Sequence, residues 1–301
     1  MTAQSGAPTR PFYYGGQALI EGVMIRGRTH WAVAVRQPDG AIFVRAEPLN
    51  SRLTQGGFAR LPFVRGILVL YETLYLGIKA LTLSAAVATG QQAEVGSALV
   101  WPVLVSSLAV ALAAFFIGPA LLTHWLTGLL PGPVFVNLVE GLVRLGLLLG
   151  YIVAIGRLPE IRRVFAYHGA EHQAIHALEA GVPLRPEAAM AFSTAHPRCG
   201  TAFLLTVVVL AVFVFAWLGD LPLPLKLLSR VVLVPLVAAV AYEIIRFGAA
   251  HTHNPLVRAL VVSPGLWLQQ LTTWKPDPDQ VEVALAALQA ALEADGRAAA
   301  G

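Results

Sequence analysis

The chain has 301 residues, 56% of them hydrophobic and only 13% charged, with a mean hydropathy of +0.67. Soluble domains carry roughly 25% charged residues, so the composition excludes an ordinary soluble globule and specifies a membrane protein. The formal charge of +4 calls for no nucleic-acid partner, because basic residues gathered on one side of a membrane account for it.

In chain order, no basic segment followed by a short apolar run and a cleavage site opens the sequence, so no removable signal peptide is expected. The stretch GGQALIEGVMIRG (residues 15–27) has paired glycines but neither phosphate-loop nor dinucleotide spacing, which rejects a nucleotide site. Its glycines serve tight turns or close backbone approach. Residues 31–47, WAVAVRQPDGAIFVRAE, show partial period-two alternation around Pro38-Asp39-Gly40 and predict a β-hairpin.

Residues 61–88 are apolar but carry Arg65, Glu72 and Lys79 at intervals of seven, near one helical face. Such a stripe favours a helix lying on the membrane surface or packed on the bundle over a further span. Four stretches match the roughly 20 residues needed to cross a bilayer core: Leu99 to Leu122, Val134 to Ile155, Thr201 to Leu218 and Leu227 to Ile245. The third is the shortest. Residues 251–274 turn on Pro255 and Pro264 and read as an interfacial segment anchored by Trp267 and Trp274. Asp277 to Asp279 caps an alanine-rich helix to about Ala294, expected to be exposed.

The expected fold is therefore mainly α: a polytopic bundle of about four spans with a small N-terminal β-hairpin element and interfacial helices. The expected regions are 1–60 with the hairpin, 61–97, two spans in 98–156, a His/Glu/Cys segment at 157–200, two spans in 201–248, and 249–301. Lysines and arginines crowd the N-terminal hundred residues and the 157–200 segment, whereas 123–133 has none and 219–226 has one. That asymmetry orients both termini and the 157–200 segment toward the cytoplasm of a multi-pass bacterial inner-membrane protein.

Charges inside spans are expensive and demand partners. Glu140 and Arg144, four apart, can neutralise one another across a helical turn, and Glu243 and Arg246 form a similar pair three apart.

The densest chemistry lies in YHGAEHQAIHALEAG (residues 167–181). On a helix at about 100° per residue, His168, Glu171, His172, His176 and Glu179 all fall within about 140° of one another. His168 and His172, at i and i+4, can close on a single ion, and H-x-x-E-H matches the inverted zinc-protease pattern in which the glutamate is the base. His196-Pro-Arg-Cys199 adds a histidine and the chain's single cysteine, on a reducing side of the membrane where a thiolate is available. His168, His172, His196 and Cys199 would fill four tetrahedral positions around zinc in a closed, structural site; with His168, His172 and Cys199 or His196 as the ligands, a position stays open for water and Glu171 is the catalytic base. Glu179 is a carboxylate ligand or the acceptor that fixes a histidine tautomer. His251 and His253 are weaker ligand candidates, since nothing fixes their position. The alternative is a solvated helix face with His196 as a cap and Cys199 as a small core residue.

YHGAEH, Glu179, HPRCGT (196–201), YEIIR (242–246), Asn254-Pro255 and GGQALIEGVMIRG together resemble the YqhQ-like bacterial membrane proteins, a family of unknown function often labelled "predicted metal-dependent enzyme". The likeness runs from about Tyr14 to Leu292 and implies an inner-membrane protein with a cytoplasmic site at His168, Glu171, His172, His196 and Cys199. Gln173 stands where that family usually has lysine, and His176 has no histidine counterpart there, which makes it an accessory residue. Two functions follow as expectations. One is a metal-dependent hydrolase acting at the inner membrane surface on an amide, ester or phosphate. The other is a scaffold with structural zinc that presents the N-terminal hairpin to a cytoplasmic protein partner. Membrane lipids are expected partners of either, and transport would rest on the intramembrane charges alone.

Overall fold

The structure is a computed structural model that describes residues 12–49, 61–90, 97–126, 128–219 and 221–300. The two ends of the expected 1–60 region, with Arg10, Arg52 and Arg60, lie outside the described residues.

Two hairpins, not one, build the N-terminal part. Strands β1 (Gly15–Leu19), β2 (Gly22–Arg26), β3 (His30–Arg36) and β4 (Ile42–Pro48) form an antiparallel sheet in chain order. The expected hairpin is β3–β4, with Gly40 at φ 88° in its turn. The glycine-rich stretch is the other hairpin, β1–β2, turning through Ile20 and Glu21.

Helices cover both faces of this sheet. On one face Val23, Ile25, Ala32 and Ala34 pack against α5 (Pro159–Glu179) and α11 (Pro278–Ala300). On the other, Leu19, Met24, Trp31, Val33 and Val35 meet Leu76, Ala80, Leu83 and Val87 of α1 (Val64–Ala88). Burial on both sides explains why β2 and β3 read as nearly unbroken apolar runs where a sheet with one wet face would alternate.

The C-terminal helix differs from its expected exposure. Val281, Val283, Ala284, Leu285, Ala287, Leu288 and Ala291 of α11 are core residues. Alanine lets the helix axis come close to the sheet, so a composition that reads as helix propensity is also a packing surface. Asp277 and Gln280 start α11 by exchanging backbone amide bonds at its first turn. Near its other end, Asp295 accepts from the Arg28, Thr29 and His30 amides, the Thr29 hydroxyl and the Tyr14 hydroxyl.

Helix α1 carries its polar stripe into contacts on three elements. Arg65 pairs with Glu243, Glu72 with Arg26 at 2.7 Å, and Lys79 with Glu47 at 2.5 Å. These pairs pack α1 against the sheet and α8 (Leu223–Ala250), and its length and apolar character also qualify it as a membrane span, the alternative that the polar stripe disfavoured. The first of them also corrects the pairing of Glu243, whose partner is Arg65 from another helix, not Arg246 one turn along.

The bundle contains α2 (Ser97–Leu112), a π-helical turn (Ala113–Ile117), α3 (Gly118–His124), α4 (Pro133–Ile155), α7 (Thr201–Ala216) and α8 (Leu223–Ala250). Four helical stretches among the described residues are long and apolar enough to cross a membrane: Val64–Ala88, Trp101–His124, Pro133–Ile155 and Leu223–Ala250. The expected third span is shorter than anticipated. At 16 residues, α7 rises about 24 Å, less than a ~30 Å hydrocarbon core, and it packs between α4, α8 and α10 (Ser263–Thr272).

The expected Glu140–Arg144 pair is present at 2.7 Å and belongs to a larger group. Arg230 grips both oxygens of Glu140 at 2.8 and 2.7 Å, and Lys226 stands 3.3 Å away. The guanidinium groups of Arg144 and Arg230 lie over the Phe215 ring, and Arg144 also bonds the Phe115 carbonyl. Glu140 is therefore the charge that ties α4 to α8. Between the bundle and α10, Asn254 caps a short helix α9 (Pro255–Val257) by accepting the Leu256 and Val257 amides, and a π-helical turn (Arg258–Val262) follows.

The contacts of Asp295 give a stability prediction with a definite sign. Burial pushes its carboxyl up, but the bonds from Thr29, Arg28 and Tyr14 outweigh burial and hold it down at about 2. A depressed carboxylate contributes stability above its unfolded value of about 3.9 and loses it as pH falls through the folded value. Asp295→Asn is expected to lower the unfolding temperature at pH 7, a loss of about 1–3 kcal/mol for hydrogen bonds to a charged group. The gap from wild type should shrink as pH drops from 4 toward 2, which thermal unfolding in detergent would read.

Candidate metal centre

Helix α5 starts at Pro159 in its first turn, where a missing amide hydrogen costs nothing, with Glu160 beside it. Its site-bearing face points between the sheet, the 190–200 turn that follows the short helix α6 (Pro186–Ala189) and the segment that links α10 to α11. Close passages of main chain make this possible. A Cβ on Gly169 would stand 2.2 Å from the Trp274 carbonyl oxygen, and one on Gly16 would meet the Met24 carbonyl at 2.3 Å and the Glu171 side chain at 3.0 Å. The glycine in YHGAEH thus admits the 272–276 segment onto the helix, where the Trp274 amide bonds the Phe165 carbonyl at 2.9 Å. The glycine in β1 admits the carboxylate of Glu171.

Each of the first two histidines is held by a main-chain carbonyl on its outer nitrogen. His168 Nδ1 donates to Thr272 O at 2.9 Å and His172 Nδ1 donates to Thr194 O at 2.5 Å. A carbonyl accepts only, so these contacts place the ring protons on Nδ1 and leave the Nε2 lone pairs facing inward. His168 Nε2 is 3.2 Å from Cys199 Sγ, and the two imidazole centroids are 4.5 Å apart. One donor atom each from His168, His172 and Cys199 lie within 4.8 Å of one another. The Thr201 hydroxyl and amide approach the sulfur at 3.2 and 3.5 Å, from which they can donate to a thiolate.

Glu171 lies beside this trio, its Oε2 3.5 Å from His172 Nε2. Burial pushes its carboxyl up to about 7, against the pull of His168, the Gly16 amide and His176.

The expected four-ligand set is not one cluster. His196 and Glu179 gather with His176 into a second trio, again with donor atoms within 4.8 Å. His196 Nε2 is 3.4 Å from Glu179 Oε2, and the His176 and His196 rings are 4.6 Å apart. Burial, with His176 and His172 alongside, pushes the His196 imidazole down to about 3, so the ring is neutral. Arg198 bonds the other oxygen of Glu179. His176, demoted on the family likeness, is thus placed with predicted ligands. His251 and His253 belong to neither trio; His251 stacks on Phe247.

Two imidazoles with oriented tautomers and a soft sulfur with donors around it, their ligand atoms all within 4.8 Å of one another, are a donor set that could hold zinc or a similar borderline cation. Three ligands also leave a fourth position for another donor.

The Protein of unknown function (DUF1385) family model matches residues 61–294. The chain belongs to that family. It is 33% identical over 296 residues, 91% of each chain, to the Uncharacterized protein YqhQ of Bacillus subtilis (strain 168). No solved structure matches it.

In this DUF1385 member the residues that hold the candidate ligands in place carry weaker marks in the sequence. Gln269, buried in α10, accepts the His196 amide at 2.8 Å and donates to the His196 carbonyl at 3.0 Å, fixing the turn that carries both His196 and Cys199. Its signal was present as a polar pair inside the apolar run GLWLQQLTTW. The carbonyls of Thr194 and Thr272 carry no sequence signal at all. Gln173 donates to the Phe192 carbonyl at 2.9 Å, and its own oxygen is buried without a partner.

Because Cys199 is the chain's one cysteine and is 8% exposed, a thiol reagent reports on this turn alone. Gln269→Ala is expected to cost about 1–3 kcal/mol through the unpaired His196 groups and to speed maleimide labelling of Cys199 at least several-fold. Unchanged labelling would show that Gln269 does not hold the turn.

Proposed function

We propose that this protein is a membrane-embedded, metal-dependent hydrolase whose centre faces the cytoplasm, with His168, His172 and Cys199 as ligands and Glu171 as general base. The observation that carries the reading is the pair of carbonyl-held imidazoles whose inner lone pairs meet at the only thiol. Backbone acceptors that fix ligand tautomers are a recurrent feature of metal sites and have no equivalent need in a solvated helix face. The cytoplasmic orientation follows from the distribution of lysine and arginine.

Zinc bound there would supply Lewis acidity that brings a water's pKa toward ~7. The chain's residues do the rest. His168 and His172 hold their inner nitrogens in place, Thr201 steadies the thiolate, and the Gly16 amide positions the Glu171 carboxyl. A carboxyl with its pKa near the working pH accepts and returns a proton more readily than an ordinary one. The substrate would be an amide, ester or phosphate presented at the bilayer edge, since the site lies where the sheet unit meets α7 and α10.

A second reading has its own support. The trio joins α5, the 190–200 turn and, through Thr272, the segment after α10, so a metal would staple the sheet unit to the bundle and its binding energy would become folding energy. The two readings part at Glu171. With a catalytic base, Glu171→Gln keeps bound metal and stability but lowers hydrolysis of a panel of chromogenic esters and phosphates by about 10²–10⁴-fold. With a structural staple, Cys199→Ser and His172→Ala melt the protein early and Glu171→Gln is mild in every assay. Elemental analysis that found no metal in wild type after zinc loading would remove both.

A further inference from the structure

We infer that the site is built for two cations: His176, Glu179 and His196 form a second metal position next to the His168–His172–Cys199 trio. The inference rests on the first position being a metal site and extends it from one ion to a pair.

The donors divide in two because of helix geometry. His168 and His172 are one turn apart, whereas Glu179 lies about 16 Å along the helix axis from His168, eleven residues at 1.5 Å each. One ion cannot serve both ends. The 196–199 turn runs alongside and contributes one ligand to each position: Cys199 to the His168 end and His196 to the Glu179 end. The imidazoles then line up as 168, 172, 196 and 176, with successive ring centroids 4.5, 5.7 and 4.6 Å apart.

The second trio has outer support like the first. His176 Nε2 donates to Ala195 O at 2.9 Å, which leaves Nδ1 as its free lone pair. Arg198 holds one oxygen of Glu179 and leaves the other, Oε2, facing His196. His196 Nδ1 accepts the Arg198 amide over a long 3.3 Å. In the metal-free ring the proton therefore sits on Nε2, and a cation there moves it to Nδ1 at the expense of that weak contact. Arg198 places a positive charge near the position, so the second cation should bind more weakly than the first. Two histidines and a carboxylate form a harder donor set than the thiolate trio, which suits zinc, manganese or iron in that position.

The test is metal stoichiometry on the full chain in detergent, loaded with zinc, passed through a desalting column and counted by elemental analysis. Wild type should hold two ions per chain, and His176→Ala and Glu179→Gln should hold one. Glu179 is a third exposed, so Glu179→Gln leaves folding intact. Cobalt gives an independent reading. Cys199→Ser should keep visible cobalt absorption from the second position and lose the thiolate charge-transfer band. One ion per chain that survives His176→Ala and Glu179→Gln but not Cys199→Ser would overturn the second position and leave the first standing. Two ions per chain in both variants would also overturn it, and none in wild type would remove both positions together.

Discussion

A hydrogen bond from each of two imidazoles to a main-chain carbonyl is the constraint on which the site depends. Thr272 O and Thr194 O decide which nitrogens of His168 and His172 face Cys199. Carbonyl positions are set by backbone, so the tautomers are only as fixed as the segments that carry them. The fold supplies that fixity from several directions. Gly169 lets the 272–276 segment lie against α5, Gln269 clasps His196 by both backbone groups, and α11 closes over the sheet with Asp295 tied to the β2–β3 turn. Removing any one support loosens a carbonyl before it touches a ligand.

The bundle and the sheet unit rely on different physics to reach the same rigidity. The sheet is buried on both faces by apolar side chains, mostly small on the α11 side, and the hydrophobic effect holds it. Apolar helices gain little from that effect within lipid, and packing and polar contacts tie them instead. Glu140, fully buried and gripped by Arg144 and Arg230, is one such tie. Breaking one partner of a buried ion group leaves an uncompensated charge, which is costlier than the net gain from forming it. This group spans α4 and α8, its residues belong to neither histidine trio, and its role in the structure is to join helices.

Membrane character, the β3–β4 hairpin and the histidine-rich face of α5 were legible in the sequence because each rests on a period or a composition that local physics reads directly. What was not legible depends on tertiary approach. The sequence placed five polar residues of α5 on one face by angle but left out their rise along the axis, and that rise separates His168 and His172 from Glu179. The C-terminal helix looked exposed because alanine signals helix propensity more loudly than burial. Glu243 looked paired with Arg246 because neighbours on one helix are all a sequence can offer; its partner Arg65 is 178 residues away. The length of α7 and the backbone acceptors behind the histidines have no residue-level mark.

In the proposed centre, nitrogen from α5 and sulfur from the 196–199 turn share one ion. X-ray absorption at the zinc edge of the loaded protein tests it without any substrate. The expected result is a mixed shell, with sulfur near 2.3 Å and nitrogen near 2.0–2.1 Å, and loss of the sulfur contribution in Cys199→Ser. A shell of light atoms alone in the wild-type protein would contradict it.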